Sequence, residues 1–200
     1  MTEKLSTTAR DRLITAVAEL MRTQGYSAIT VKQITTAANA PMGSLYHHFP
    51  NGKIQIAAEA LRTSGAAYIQ LLPLLMDVHQ DLREAIPAAF EAAAEVISSS
   101  GWMNMCPVAT VAGETADSEP ELRTVAAEVM TSWIDQGAEY FVQRGVSPPE
   151  SRDLIFATLS ALEGAFILSR TLRSTEPLLS AGKAMKARIT EILDRADVAK

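Results

Sequence analysis

The run from Thr30 to Lys53, Thr-Val-Lys-Gln-Ile-Thr-Thr-Ala-Ala-Asn-Ala-Pro-Met-Gly-Ser-Leu-Tyr-His-His-Phe-Pro-Asn-Gly-Lys, carries residue types that can grip a phosphodiester backbone and read the bases beside it. Thr30 is placed to cap a helix, with Gln33 three residues on as its capping-box partner, and Ile34 and Ala37 supply a small apolar face. Asn39 tolerates the left-handed backbone that stops a helix, and Pro41 suits the first turn of the next one. From Met42, helical spacing puts Leu45 and Phe49 on one side and Gly43, Ser44 and His47 on the other, flanked by Met42 and Tyr46. Two short helices and a tight turn follow, with one side for a core and one free to meet DNA. Asn51 can then cap a helix opening with Gly52 and Lys53, where unpaired amides, the helix dipole and an ammonium suit a phosphate. A nucleotide P-loop is excluded by spacing, because its first glycine would fall on His47 before Gly52, or on Pro177 before Gly182.

These residues need a scaffold. The chain has 200 residues, 48% of them hydrophobic, enough for a small domain plus a larger one, expected at 1–52 and 53–200. Residues 1 to 60 hold six Lys/Arg, Lys4 among them, against four acids including Glu3; the remainder holds twelve against nineteen, so an acidic protein has a locally basic end. Apolar residues recur at helical spacing nearly everywhere and no strand-like alternation survives, which predicts an all-α chain of about nine helices. Leu13, Val17, Leu20 and Met21 mark the first, stopped by Gly25. A long helix is expected from Gly52 to about Leu72, and another from Leu82 to Ile97, closed by Ser98-Ser99-Ser100-Gly101. A short helix follows Pro107. Ser118 with Glu121 and Ser147 with Glu150 start two long helices, the first closed by Gly145 and the second ending at about residue 172; a last one begins at Thr175.

Several function classes drop out. There is no Gly-x-Ser-x-Gly elbow and no dinucleotide glycine pattern, and His79 is the sole histidine of the larger part, so an enzyme is not expected. His47, His48 and His79 with one cysteine make no metal set, and no cofactor is expected. Cys106 lacks a resolving cysteine and reads as a plain buried thiol rather than a redox sensor. No amino-terminal signal is evident, and the longest apolar stretch, Leu154 to Leu168, is broken by Glu163 and falls short of a membrane span, so a cytoplasmic protein without a membrane partner is expected.

The stretch from about Leu13 to Leu61, with its Leu-Tyr-His-His-Phe run and following lysine, resembles the amino-terminal domain of the TetR family of transcriptional repressors. Phe49-Pro50-Asn51-Gly52-Lys53, Met105-Cys106-Pro107-Val108-Ala109, Glu163-Gly164-Ala165 and Arg173-Ser174-Thr175-Glu176-Pro177-Leu178 resemble the LmrA/YxaF-like branch. The resemblance implies that Thr30 and Lys32 contact DNA, that Pro41, Met42, Gly43, Ser44, Tyr46 and His47 lie on or beside the recognition surface, and that Lys53 holds phosphate. Asn39 stands where glycine is common, and Met42 where a polar residue often sits. A recognition helix without Lys or Arg shifts specificity toward Lys32, thymine methyl contacts and shape.

The helix at about 148–172 is apolar around much of its circumference, which predicts pairing of the last two helices with their copies in a homodimer, with Leu159, Leu162, Arg170, Met185 and Ile189 at the interface. The resemblance implies the same dimer and a small-molecule pocket in the larger part; two recognition helices about one DNA turn apart, or a multiple of it, would then read a pseudo-palindromic operator. Candidates for a hydrophobic or aromatic effector are Phe90, Trp102, Met103, Met105, Cys106, Met130, Trp133, Tyr140, Glu163 and Phe166. Glu163 must reach water, pair with a cation such as Arg170, or meet a polar ligand group. A ligand-released repressor is the reading reached. A helical carrier of hydrophobic molecules, or an activator of the same fold, are the alternatives.

Overall fold

A computed structural model of the chain describes residues 8–198; Lys4 and Glu3 of the charge count lie outside them. Ten helices and no strand occur among the described residues: α1 Ala9–Gln24, α2 Val31–Ala37, α3 Met42–His48, α4 Lys53–Ile69, α5 Leu71–Met76, α6 Leu82–Ser99, α7 Pro107–Thr115, α8 Pro120–Gln143, α9 Pro148–Leu172 and α10 Glu176–Val198. They form two compact units, one of Met1–Ala66 with Cys106–Val129, the other of Ala67–Met105 with Met130–Lys200. Helices α4 and α8 each contribute residues to both.

The tenth helix arises where one long helix to Leu72 was expected. Pro73 has no N–H to give the carbonyl of Ile69, and its ring crowds that carbonyl, so α4 stops at Ile69 and α5 starts afresh after Gln70. Two expected caps also move. Gly52, at φ 67, precedes α4, and the Gln55 side chain accepts from the Asn51 N–H at 3.0 Å, so Asn51 is not the cap. Helix α8 begins directly after Glu119, which sets Ser118 one residue too early to cap it. Ser147 does precede α9, its hydroxyl bonded to Glu150 at 2.7 Å, with Pro148 and Pro149 in the first turn.

The first unit is pinned locally. Thr8 and Asp11 make a reciprocal capping box at the start of α1, as Thr30 and Gln33 do for α2. Asn39 adopts φ 47 between α2 and α3, and the Ala40 N–H returns to the Thr35 carbonyl at 2.9 Å. Leu13, Val17, Met21, Ile34, Leu45, Phe49, Ile56 and Leu61 form its core. Ala37, expected in that core, is exposed; Ala38, one helical turn after Ile34, is buried instead. Arg10 pairs with Glu59 and stacks on the Phe49 ring, and Arg12 Nε reaches the Ala38 carbonyl at 3.2 Å.

The second unit is assembled by distant segments. Helix α10 packs along α6 and α9, with Phe90, Ile86 and Ile97 of α6 meeting Leu178, Met185, Ile189 and Ile192 of α10 in one core. A Cβ on Gly182 would sit 2.9 Å from that of Phe90, so only glycine lets α10 come this close to α6. Arg144 fastens the corner before α6, donating to the carbonyls of His79 at 2.6 Å and Gln80 at 2.9 Å and to Asp77 at 3.2 Å.

Candidate DNA-reading face and effector cavity

The cap of α2 and the left-handed Asn39 fix how α3 follows α2. Leu45 and Phe49 turn inward and are fully buried, which leaves the opposite side of α3 uncovered. Met42 is 51% and Tyr46 48% exposed; Thr30, Lys32, Pro41, Gly43 and His47 are also exposed, and Ser44 is half-buried. Nothing lies within 4 Å of where a Gly43 side chain would begin. The nine residues expected to meet DNA therefore occupy one stretch of α2, the turn, α3 and the start of α4.

Lys53, like Ser44, is half-buried. Its Nζ stands 4.1 Å from the centroid of the Tyr26 ring, a cation–π geometry. Burial lowers its pKa, while the charges of Glu114 and Glu119 act in the raising direction. Glu114 itself accepts from the backbone N–H groups of Tyr26 at 2.6 Å and Ser27 at 2.8 Å. Neither Tyr26 nor Glu114 was legible as a site residue, because the contact joins positions 88 apart in sequence.

The second unit encloses a cavity of about 290 Å³, of a size for one small molecule. Phe90, Trp133, Glu163 and Phe166 of the expected residues line it, beside Tyr68, Leu72, Met76, Ile86 and Asn104, which were not foreseen. The Tyr68 and Trp133 rings stack with centroids 6.3 Å apart and planes 20° apart. Among the described residues lining the cavity, Glu163 is the sole acidic or basic side chain.

The remaining candidates stand elsewhere. Met103 is 48% exposed, Trp102 takes φ 67 in the turn after α6, and neither Met105 nor the half-buried Met130 is among the lining residues. Cys106 precedes α7 in the other unit and its Sγ accepts from the Ala109 N–H at 3.4 Å, so its surroundings are a helix cap rather than the cavity. Tyr140 looks onto a second, polar hollow. It donates to Asp77 at 2.6 Å and accepts from Arg144 at 2.6 Å; burial, and then the Asp77 bond, push its pKa up to about 12.

The expected interface residues are also redistributed. Met185 and Ile189 are buried in the chain's own core, because the 178, 185, 189 and 192 positions of α10 face α6. Leu159 and Leu162 line the cavity, and Arg170 is half-buried. The uncovered apolar residues of α9 are Phe156, Ile167, Leu168 and Leu172, joined by Leu179 of α10. By length and composition the whole of α9 suffices to cross a membrane, which corrects the shortfall read from Leu154 to Leu168 alone.

Two family models match the chain: that of the tetR family of bacterial regulatory proteins over residues 13–60, and that of the LmrA/YxaF-like transcriptional regulator C-terminal domain over residues 83–184. The chain is 34% identical to the HTH-type transcriptional regulator YxaF of Bacillus subtilis, over 86% of this chain and 90% of that protein. It is 30% identical to LmrA, an HTH-type transcriptional regulator of the same organism, over 86% and 91%. A regulatory protein TetR from Rhodobacter sphaeroides has the same fold, with a TM-score of 0.77 at 22% identity, covering 90% of this chain and 97% of that one.

Proposed function

The chain belongs to the TetR family of transcriptional regulators, DNA-binding proteins that usually dimerise and are not enzymes, and from that premise we propose that it is a cytoplasmic, homodimeric repressor released from a pseudo-palindromic operator by a small hydrophobic or aromatic effector. The observation that carries the DNA part is the bare outer side of α3, where Met42, Gly43, Tyr46 and His47 stand exposed beside Thr30 and Lys32. That side holds no arginine to fork onto guanine, so Lys32, methyl contacts and DNA shape carry the specificity. Lys53 and the amides opening α4 take a phosphate. The effector occupies the cavity between Phe90, Trp133 and Phe166.

The dimer forms on the apolar side of α9. Phe156, Ser160, Gly164 and Leu168 follow one another at four-residue spacing and are all exposed, with Ile167 and Leu172 alongside. Small residues between large ones let a second α9 approach closely, and the area is too apolar to favour water. With two reading heads, half-sites fall about one DNA turn, or a multiple of it, apart. Effector binding favours the dimer geometry that does not fit DNA, and DNA must weaken effector binding by the same factor.

Fluorescence anisotropy with promoter duplex at defined salt tests the reading. Tyr46→Ala and Lys53→Ala are expected to weaken binding at least about tenfold together, while circular dichroism remains unchanged. Unchanged DNA affinity in both variants would leave a helical carrier of hydrophobic molecules as the better account.

A further inference from the structure

Glu114 stands in the last turn of α7, yet both of its oxygens serve the turn that follows α1. Oε2 accepts from the Tyr26 N–H at 2.6 Å and Oε1 from the Ser27 N–H at 2.8 Å. The seat is tight. A Cβ on Gly25 would meet Oε2 at 2.7 Å and push the carboxylate from its seat, and Gly25 sits at φ 78, a backbone that a side chain would strain. Burial would raise the Glu114 pKa, but hydrogen bonds from Ser27 and Tyr26 and the charge of Lys53 outweigh it and lower the value, which keeps the group an anion at neutral pH. Bonds of this kind to a carboxylate are stronger than those between neutral partners.

What the anchored turn carries is the Tyr26 ring. Tyr26 is 7% exposed, and Lys53 Nζ lies 4.1 Å from its ring centroid at the first residue of α4. A continuous line of contacts therefore runs from the Glu114 carboxylate to the Tyr26 backbone, to its ring, and to the ammonium. All four residues, Gly25 included, belong to one compact unit. We propose that Glu114 is a positioning residue for DNA binding, which fastens the turn after α1 so that the Tyr26 ring presents the Lys53 ammonium to a backbone phosphate. The inference rests on Lys53 meeting phosphate, and adds a determinant far from the reading helices in sequence.

The test is the salt dependence of DNA binding, since each phosphate contact contributes about −0.9 to the slope of log K against log salt. The DNA is a labelled duplex that the wild-type protein has itself selected from a random-sequence pool, titrated between about 50 and 200 mM salt. In Glu114→Gln one amide N–H of the turn faces the new NH₂, donor against donor, so one bond is lost. The expected result is binding weaker by about five- to tenfold, with the slope shallower by about one unit per half-site, as in Lys53→Ala. In a Lys53→Ala background, Glu114→Gln then adds nothing to the loss. Tyr26→Leu, which removes the ring and leaves Glu114 and Lys53 in place, shows the same slope change and serves if Glu114→Gln does not fold.

A role in stability alone predicts the opposite pattern, with wild-type slope in Glu114→Gln and Tyr26→Leu and a loss fully additive with Lys53→Ala; that result overturns the proposal. If Lys53→Ala itself leaves the slope unchanged, the phosphate role of Lys53 fails and this inference fails with it. If Lys53→Ala changes the slope and the other two do not, only the role of Glu114 is lost.

Discussion

The candidate reading face draws its residues from Thr30 to Lys53, whereas the cavity draws its walls from Tyr68 to Phe166. The first is shaped by hydrogen bonds between neighbours: Thr30 with Gln33, Ala40 with Thr35, and a left-handed Asn39. Its outer side is open and mixed in character, with Met42 and Tyr46 exposed beside His47. The second is shaped by packing of helices remote in sequence, with α6 against α9 and α10, and its walls are almost wholly apolar. On the proposed function, a surface that fits a partner's fixed repeat is thus encoded in short-range geometry. The cavity is encoded in side-chain volume, and volume can be redistributed among many positions.

Three substitutions probe that contrast. The largest effect is expected from Phe90→Ala, which removes a fully buried ring from the cavity wall and from the contact with Gly182. Chemical denaturation is expected to read a loss of about 3–5 kcal/mol, while the folded fraction keeps its DNA affinity. A comparable loss of DNA affinity in folded protein would break the separation between cavity packing and reading face. Thr30→Ala deletes the capping oxygen of α2 and is expected to cost about 1 kcal/mol of stability. Here DNA affinity should fall as well, because cap and reading face are the same residue; wild-type binding would show that α2 holds its place without the cap.

The smallest and most discriminating change is Gly43→Ala. In a helix this gains about 0.5–1 kcal/mol, and the site has open space for the methyl group. Thermal melting should shift upward while DNA affinity drops, since the missing side chain lets the α3 backbone approach the duplex. Higher stability with unchanged affinity would remove Gly43 from the reading face.

Local rules carried the sequence reading a long way. The Thr30–Gln33 capping pair, the Asn-Ala-Pro turn and the inward Leu45 and Phe49 could be read directly, since each depends on residues within four positions. The same rules misplaced Ala37 by one position and ran α4 on past Pro73, where the carbonyl that a proline leaves without its donor decides. For the cavity, large apolar residues at helical spacing could be recognised but not aimed. Phe90, Trp133, Glu163 and Phe166 line it, whereas Trp102, Met103, Cys106 and Tyr140 are spent on a turn, the surface, a cap and a clamp.

The sequence by itself determined the all-α class, the branch of the family, the turn between α2 and α3 and the side of α3 that faces outward, because periodicity and capping act over one or two turns. Only the tertiary structure decided which side of α10 is core and which side of α9 remains bare, since an apolar stripe fits the subunit's own interior as well as a partner. It alone brought Glu114 onto the amides of Tyr26 and Ser27. That contact joins positions 88 apart, and the electrostatic field at Lys53 depends on distance in space rather than along the chain.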